Sequence, residues 1–267
     1  MSVNDELGKR MKEFYEQVPK TRLMRRTPVA IRLDGKTFHT FTKGFKRPYD
    51  EILMRSMQNT MLRLCESIQG CVIGYTQSDE ITLILQDFST LKTEAWFDYE
   101  VQKMCSIASS MATLYFNQSF RDEVNKYTSG KTIGGYEITL FKARDKGAMF
   151  DARVFNIPKE EVANLILWRQ LDATRNAIQM LGQSNFSHKQ LQNKSCNEIQ
   201  DMLMTQKGIN FNDMPTEFKR GSCCVRKACE ILLEDCSVIR NKWVVDREIP
   251  IFKNEDRNYI ESRIKFD

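Results

Sequence analysis

The sequence is poor in the residues that build several common kinds of site. It has two histidines among 267 residues, and its eight cysteines form no C-x-x-C pair. A structural zinc site is therefore not expected. No apolar run reaches the length of a membrane span, and the first twenty residues are polar and charged, unlike a secretory signal. These absences predict a cytoplasmic protein without a membrane partner, with reduced cysteines packed as small apolar groups.

The charge and the apolar content argue against wholesale disorder. Hydrophobic residues make up 41% of the chain and charged residues of mixed sign 28%, which allows a sizeable core. The formal net charge is +5. Such a mild basic excess permits binding to nucleic acid but does not demonstrate it.

The spacing of apolar residues predicts a mixture of strands and helices. Short runs rich in β-branched residues predict strands at 28–33, 71–75, 81–85 and 151–156. Spacings of three and four predict helices at 50–68, 94–117, 158–182 and 197–206. We therefore expect an α/β or α+β fold with helices against one face of a sheet. The segment from residue 221 onward alternates short apolar runs with charges and turns, and we assign it no elements.

Two aspartates stand at the ends of predicted strands. Asp34 follows the first strand, and Asp79 lies in the turn that joins the second strand to the third. If these strands are neighbours, both carboxylates project from the same end of the sheet and offer the hard oxygen ligands that Mg²⁺ prefers. Two such ions can bind the attacking and the leaving oxygen of an in-line displacement. Each aspartate alone also fits an ordinary turn, so the interpretation depends on the pair.

The residues that follow Asp34 suit a phosphate. Gly35 has no side chain, so a phosphate or a metal could approach the backbone closely there. The backbone N–H groups of Lys36, Thr37 and Phe38 could then bind a triphosphate.

Longer strings around these positions resemble one family. They are R-L-D-G-K-T-F-H at 32–39, G-Y-T-Q-S-D-E at 74–80, F-D-A-R at 150–153, W-R-Q-L-D at 168–172, I-N-F-N-D at 209–213 and F-K-R-G at 218–221. In order and spacing they are similar to the signatures of the tRNA-His guanylyltransferases and their bacterial and archaeal guanylyltransferase-like relatives. The resemblance runs from about residue 28 to residue 225.

The resemblance implies an α+β fold of the palm type found in polymerases and nucleotide cyclases. That fold is an antiparallel sheet with helices packed on it, here with a smaller C-terminal region. We expect a palm-like catalytic domain with the Mg²⁺ and nucleotide site in residues 1–135. Residues 136–267 would complete the palm and contribute to RNA binding and oligomerisation.

The resemblance also implies a reaction. Two Mg²⁺ ions would be held by the catalytic residues Asp34 and Asp79 and by the Gly35 carbonyl. Nucleotides from ATP, GTP or another nucleoside triphosphate would be added to the 5′ end of tRNA in the 3′→5′ direction. ATP would activate that end, or a 5′-triphosphate would be used directly. Family members are commonly tetramers, so we expect a homotetramer arranged as a dimer of dimers.

Positions that match the family's motifs supply further candidates. His39, Arg47 and Ser78 join Gly35, Lys36, Thr37 and Phe38 as candidates for nucleotide binding. Candidates for contact with RNA or phosphate are Lys43, Arg153, Arg169, Asn176, Lys194, Lys219 and Arg220. For the exposed basic residues, a solvated loop or a charged sheet edge explains the charges as well.

Two departures from the family pattern bear on the substrate. The string T-R-N-A-I-Q-M at 174–180 stands in place of the H-I-N-N-L-Y-N of the eukaryotic enzymes, and only Asn176 coincides. This pattern resembles the guanylyltransferase-like branch, which favours template-directed repair of 5′-truncated tRNAs, and we expect that activity here. Cys196 replaces a frequent family lysine, which leaves Lys194 as the nearest cation.

Two other functions stay open. A nucleotide cyclase or a forward polymerase could use the same palm, although neither needs the W-R-Q-x-D and I-N-F-N strings. A non-catalytic RNA-binding protein could keep the fold, although intact D-G and S-D-E strings count against it.

Overall fold

The computed structural model describes residues 6–232 and 237–265, and a six-stranded antiparallel sheet forms its centre. The strands are β1 Val29–Gly35, β2 Cys71–Gln77, β3 Glu80–Leu85, β4 Phe150–Asn156, β5 Ser222–Leu232 and β6 Ser237–Asp246. They lie in the order β4-β1-β3-β2-β5-β6. Seven cysteines in the described part carry free thiols, as predicted, and Cys236 lies outside the described residues.

Helices occupy most of the remaining described chain. They are α1 Glu6–Met11, α2 Phe38–Phe41, α3 Glu51–Ser67, α4 Val101–Thr128, α5 Gly135–Lys146, α6 Lys159–Asn185, α7 His188–Leu191, α8 Cys196–Lys207, α9 Thr216–Arg220 and α10 Asn258–Glu261. Shorter turns of 3₁₀ or π type lie at Lys12–Glu16, Trp96–Tyr99, Phe211–Asp213 and Asn254–Arg257. Within the described ranges, no helix is both long and apolar enough to cross a membrane.

Helices cover both faces of the sheet. Alternate residues of a strand point to opposite faces, so Ile31 of β1 packs with α3 and α4, whereas its neighbour Ala30 belongs to a second core with α6. The segment around Phe252 and Ile260 completes that second core. The prediction of helices on one face is therefore wrong, because the strands are apolar on both sides and need two layers of cover.

A third core joins the C-terminal half of α6 to the helices that follow it. Leu181 of α6, Leu203 of α8 and Phe218 of α9 are all buried there. Gly182 fits this contact because a Cβ at that position would lie 2.7 Å from Cγ2 of Ile199. This packing brings the end of α6 close to the sheet end at which β1 stops.

All four predicted strands are present, and the predicted turn joins β2 to β3. The start of the second predicted helix is wrong, since α4 begins at Val101 rather than at residue 94. Phe97, Asp98 and Tyr99 have φ angles of +51°, +51° and +54°, which an α-helix does not allow.

Candidate active site

Asp34 and Asp79 lie at the same end of the sheet, Asp34 near the end of β1 and Asp79 in the turn before the neighbouring strand β3. Asp34 stands opposite Glu80 in the register of β1 with β3, and the Gly35 N–H donates to the Asp79 carbonyl at 3.1 Å. Asp79 sits in the tight turn between β2 and β3, where Ser78 has a left-handed φ of +54°. The predicted adjacency of the two aspartates is therefore present.

Burial and charge both act on the Asp79 carboxylate. Burial raises its pKa above the ordinary aspartate value, and the nearby Asp34 adds to the rise. A hydrogen bond from the Ser78 hydroxyl to Asp79 Oδ1, at 2.9 Å, opposes that rise. A cation bound between the two carboxylates would relieve their repulsion.

The donor atoms at this end of the sheet suit Mg²⁺. They are the carboxylates of Asp34 and Asp79 and the carbonyl of Gly35, all hard oxygen ligands. The described residues contain no group of three or more His, Cys, Asp and Glu side chains able to hold a metal. Water and phosphate oxygens would therefore complete the coordination, which is how Mg²⁺ commonly binds beside nucleotides.

Gly35 is fixed by the packing of an aromatic ring. A Cβ at Gly35 would lie 2.2 Å from Cδ2 of Phe38. The Phe38 ring is buried against Phe41, Phe116 and Phe150, with ring centroids 5.0 to 5.5 Å apart. The Phe38 ring therefore belongs to the core, and only the backbone of this residue can contact a ligand.

The backbone of the next residue is already paired. The Lys36 N–H donates to the Met149 carbonyl at 2.9 Å, which contradicts the predicted role of this group in binding a triphosphate. Thr37 has a left-handed φ of +51°, and with Phe38 it begins α2, where the first N–H groups have no acceptor within the helix. Those two N–H groups remain candidates.

A cleft of about 500 Å³ opens beside the turn between β2 and β3. The predicted residues that line it are Gly35, Thr37, Phe38, His39, Arg47, Ser78 and Asp79. A volume of this order suits a small-molecule ligand such as a nucleotide. The sequence thus placed most candidates for nucleotide binding around one cleft.

A smaller cavity of about 200 Å³ lies on the other side of the same turn. Asp34, Asp172 and Asn176 line it, and it shares Ser78 and Asp79 with the cleft. Asp79 is therefore shared by the two cavities, whereas Asp34 lines only the smaller one. We call the smaller one the acidic cavity.

Arg169 is engaged inside the acidic cavity. Its guanidinium donates to the two oxygens of Glu80 at 2.6 and 2.8 Å and to Asp172 at 3.2 Å, and its side chain is only 14% exposed. Burial raises the pKa of Glu80, while the charges of Arg169 and Arg32 oppose that rise. Arg169 therefore neutralises carboxylates of the protein itself, and its contact with RNA or phosphate stays a prediction.

A third cavity, of about 600 Å³, continues the cleft in the other direction. It shares Arg47 and Gln183 with the cleft and extends to His188 and Lys194. The Lys194 ammonium is 2.8 Å from Glu198, which caps the start of α8 through Ser195. The cleft thus shares lining residues with each of the two other cavities, and we call the three together the groove.

Four predicted RNA contacts are not among the residues that line these cavities. They are Lys43, Arg153, Lys219 and Arg220. The Lys219 ammonium donates to the Asn212 carbonyl, and Arg153 is 3.6 Å from Asp151. Their contact with RNA remains a prediction for surfaces outside the groove.

Several lining residues were not predicted. Gln77 and Asp172 lie within the strings that carried the resemblance, and that position was the only signal for them. Met180 and Gln183 come from the last turns of α6, and Tyr49 from the loop before α3. Only the folded chain brings these last three residues to the cleft.

A sequence profile described as tRNAHis guanylyltransferase matches residues 8–158, which is more than half of the chain. The chain belongs to this family. Because the family consists of nucleotidyltransferases, the predicted enzyme class is confirmed.

Relatives support this assignment over most of the chain. An uncharacterised protein of Acanthamoeba polyphaga mimivirus is 31% identical over 229 residues, which are 82% of this chain and 76% of the viral protein. The tRNA(His) guanylyltransferase of Saccharomyces cerevisiae is 26% identical over 221 residues, covering 76% of this chain and 84% of the yeast protein.

Solved structures confirm the predicted palm-type α+β fold. A bacterial tRNA(His) guanylyltransferase-like protein in complex with ATP gives a TM-score of 0.80 at 37% identity, covering 98% of this chain and all (100%) of the other. The complex of a bacterial guanylyltransferase-like protein with GTP gives 0.78 at 34% identity with the same coverage.

Proposed function

We propose that this chain adds nucleotides to the 5′ end of tRNA in the 3′→5′ direction and repairs truncated ends by copying the opposite strand. One observation carries the proposal: Asp79 lines both the cleft and the acidic cavity, Asp34 lines the acidic cavity, and Gly35, which follows Asp34, lines the cleft. A nucleotide in the cleft and an RNA end in the acidic cavity can therefore both reach the Asp79 carboxylate. The ATP and GTP complexes of bacterial relatives support a nucleoside triphosphate as one of the two.

The cleft offers the contacts that a triphosphate needs. Thr37, His39 and Ser78 line its wall near Asp79, and the cationic Arg47 stands where it joins the third cavity. Arginine suits phosphate oxygens because its guanidinium donates in a fork geometry. We therefore propose that the nucleotide lies in the cleft with its phosphates between Asp79 and Arg47.

Two Mg²⁺ ions fit the proposal. Asp34, Asp79 and the Gly35 carbonyl would hold them, and when bound they would supply Lewis acidity and neutralise charge that develops on phosphate. The Ser78 hydroxyl orients the Asp79 carboxylate through its hydrogen bond. Burial of this carboxylate excludes water from one of its sides and strengthens its attraction to a cation.

Templated repair is supported by the residues at 174–180. The Thr174 hydroxyl donates to the Gln170 carbonyl of its own helix at 2.9 Å, and Arg175 pairs with Asp172 at 2.6 Å. Asn176, which coincides with the eukaryotic string, lines the acidic cavity. The side chains of Thr174 and Arg175 are thus bonded within α6, and the support for repair is the resemblance of this string to the guanylyltransferase-like branch.

The direct test supplies a 5′-truncated, 5′-triphosphorylated tRNA, nucleoside triphosphates and Mg²⁺. We expect extension at the 5′ end by nucleotides that pair with the opposite strand. Asp34→Ala and Asp79→Ala should each abolish extension. Asp151→Asn is the matched control, since Asp151 stands opposite Asp34 in the register of β1 with β4 but lines none of the three cavities.

Absence of 5′ extension by folded protein would falsify the proposal. A cyclic nucleotide formed from triphosphate alone would indicate a cyclase, and extension of a primer at its 3′ end would indicate a forward polymerase. RNA binding that is unaffected by Mg²⁺ chelation and by Asp34→Ala, with no extension, would indicate a non-catalytic binding protein.

We also propose a cytoplasmic homotetramer in which residues 136–267 contribute to RNA binding and to contacts between copies. The family resemblance supports this assembly. Sedimentation of the full chain at several concentrations tests it, and a monomer at the concentrations used for the activity test would contradict it.

A further inference from the structure

One tryptophan is exposed beside the acidic cavity. Trp168 of α6 is 52% exposed, whereas Trp96 is buried. The residue that follows it, Arg169, lines the acidic cavity together with Asp34. Burying a large aromatic ring against a partner is favourable in free energy. An exposed ring next to an active site is therefore a candidate contact for a partner.

The ring is held in place by two arginines. The Cζ atom of Arg169 lies 4.5 Å from the Trp168 ring, and that of Arg32 lies 5.8 Å from it. Arg169 is itself fixed by its two hydrogen bonds to Glu80. The exposed ring is therefore ordered before a partner arrives, which lowers the entropy cost of binding.

Three arginines surround the ring, and each lies close to a carboxylate: Arg169 to Glu80 and Asp172, Arg32 to Glu80, and Arg153 to Asp151. Arg32 Nε is buried and has no hydrogen-bond partner among the described residues, and the Glu80 carboxylate lies 3.8 Å from it. That carboxylate already accepts two hydrogen bonds from Arg169. Arg153 stands opposite Arg32 in the register of β1 with β4, and its side chain is 53% exposed. The unpaired Arg32 Nε and the exposed Arg153 guanidinium still have N–H groups to offer a phosphate. An aromatic ring beside such donors suits nucleic acid, which offers base faces for stacking and phosphates for the arginines.

We propose that Trp168 is a stacking platform for the last base pair of an RNA duplex. This inference rests on the proposed function, because it takes an RNA 5′ end as the substrate. The acidic cavity, of about 200 Å³, has room for a phosphate group but not for a base pair. The pair must therefore stay outside, where Trp168 lies, while the 5′-phosphate reaches Asp34. Arg32 and Arg153 then face the phosphates of the terminal nucleotides.

The test measures RNA binding without turnover. The probe is a blunt-ended RNA hairpin with a 5′-triphosphate, titrated in the absence of divalent ions and nucleotides. A closed RNA dumbbell with the same stem has no end and serves as the control ligand. We expect Trp168→Ala to weaken binding of the hairpin about tenfold, the loss of one stacked base, and to leave binding of the dumbbell unchanged.

Two variants separate stacking from folding. Trp168→Phe keeps a flat ring and should restore most of the lost affinity. Trp243→Ala is the matched control, because Arg226 Cζ lies 4.9 Å from the half-buried Trp243 ring at the opposite edge of the sheet. We expect this control to change hairpin affinity less than twofold. In the wild-type protein the hairpin should also quench a part of the tryptophan fluorescence that is missing in Trp168→Phe.

Equal affinity of the wild type and Trp168→Ala for the hairpin overturns the proposal. Equal loss for the hairpin and the dumbbell also overturns it, since stacking needs an open end. A smaller sedimentation coefficient of Trp168→Ala would show a contact between copies of this chain instead. If Trp168→Ala does not fold, the fluorescence difference between wild type and Trp168→Phe decides. A protein that binds the hairpin through Trp168 but never extends it contradicts the proposed function alone.

Discussion

At the scale of single residues, the glycine at position 35 and the hydroxyl of Ser78 shape the candidate site. Gly35 has no side chain and so leaves room for the ring of Phe38, and the Ser78 hydroxyl donates a hydrogen bond to the Asp79 carboxylate. Both details determine where the oxygen ligands of the site stand. Each can be changed by one substitution.

Gly35→Ala should destabilise the fold. The new methyl group would overlap the buried Phe38 ring, and overpacking of this kind costs about 1–3 kcal/mol. Denaturant unfolding measures the loss. Gly135→Ala is the matched control, because a Cβ there meets nothing within 4 Å and alanine favours the helix, so no loss is expected. An unchanged midpoint for Gly35→Ala would show that the ring moves aside freely.

The raised pKa of Asp79 predicts how activity depends on pH. Below this pKa the carboxyl is protonated and binds a cation poorly, so 5′ extension should fall at a pH above the ordinary aspartate value of about 3.9. Ser78→Ala removes a hydrogen bond that lowers the pKa of Asp79, so the acid limb should move to higher pH. Profiles of extension rate against pH at saturating RNA measure the acid limb of the wild type and that of Ser78→Ala. Coincident acid limbs would contradict the assignment of this limb to Asp79.

The same shift has a consequence for stability. The raised pKa of Asp79 means that folding favours the neutral carboxyl. This contribution is fully present below the unfolded value and is lost as the pH rises through the folded value. A bound cation reverses the preference. The rise in melting temperature on adding Mg²⁺ should therefore grow with pH and disappear in Asp79→Asn, which calorimetry can measure.

At the scale of elements, the docking of α6 on the sheet depends on an ion pair. Arg169 of α6 and Glu80 of β3 form two hydrogen bonds while both side chains are about 15% exposed or less. Removing one partner leaves a nearly buried charge with one weaker partner, Asp172 for Arg169 or Arg32 for Glu80. The pair therefore links α6, which covers the second core, to β3 at the acidic cavity.

A double-mutant cycle measures this pair. Glu80→Gln or Arg169→Gln alone should each cost about 1.5–3 kcal/mol of unfolding free energy, the range for lost hydrogen bonds to charged groups, because each residue keeps a second partner. The double variant should cost clearly less than the sum, because the hydrogen bonds between the two residues are then lost only once. Lys194→Gln with Glu198→Gln is the control cycle, since that exposed pair should show little coupling. Additive losses for Glu80 and Arg169 would show that they act separately.

The elements recovered from the sequence are those with strong local patterns. The runs that became β1 to β4 are β-branched and apolar, and α3 has spacings of three and four. The long hairpin of β5 and β6 was missed because charges interrupt its apolar residues. Helix α5 was missed because its two buried residues, Leu140 and Ala143, give no apolar stripe.

Part of the candidate site could likewise be predicted from the sequence, and part could not. Asp34 and Asp79 could be predicted, since each follows a strand and stands in a recognisable string. The engagement of Arg169 by Glu80 could not, because the two residues lie 89 positions apart. The strings identify which residues share a site, whereas the packing of α6 decides which charges are already neutralised.

At the scale of the whole molecule, the mild positive charge should appear as salt-dependent RNA binding. Each phosphate contact that is lost lowers the slope of log affinity against log salt by about 0.7 to 0.9. Arg153→Ala should reduce the slope by one contact, because Arg153 is exposed and stands opposite Arg32, which lies beside the Trp168 ring. Lys142→Ala on α5 is a suitable control. An unchanged slope for Arg153→Ala would place the RNA elsewhere.

The turn between β2 and β3 forms a common wall of two cavities. Ser78 and Asp79 line both the cleft and the acidic cavity. A ligand on either side that changes the charge or position of Asp79 alters the free energy of binding on the other side. Such linkage is reciprocal. The factor by which a bound nucleotide raises the affinity for an RNA end equals the factor by which a bound RNA end raises the affinity for the nucleotide. Two titrations, each with the other ligand saturating, must therefore give one coupling energy.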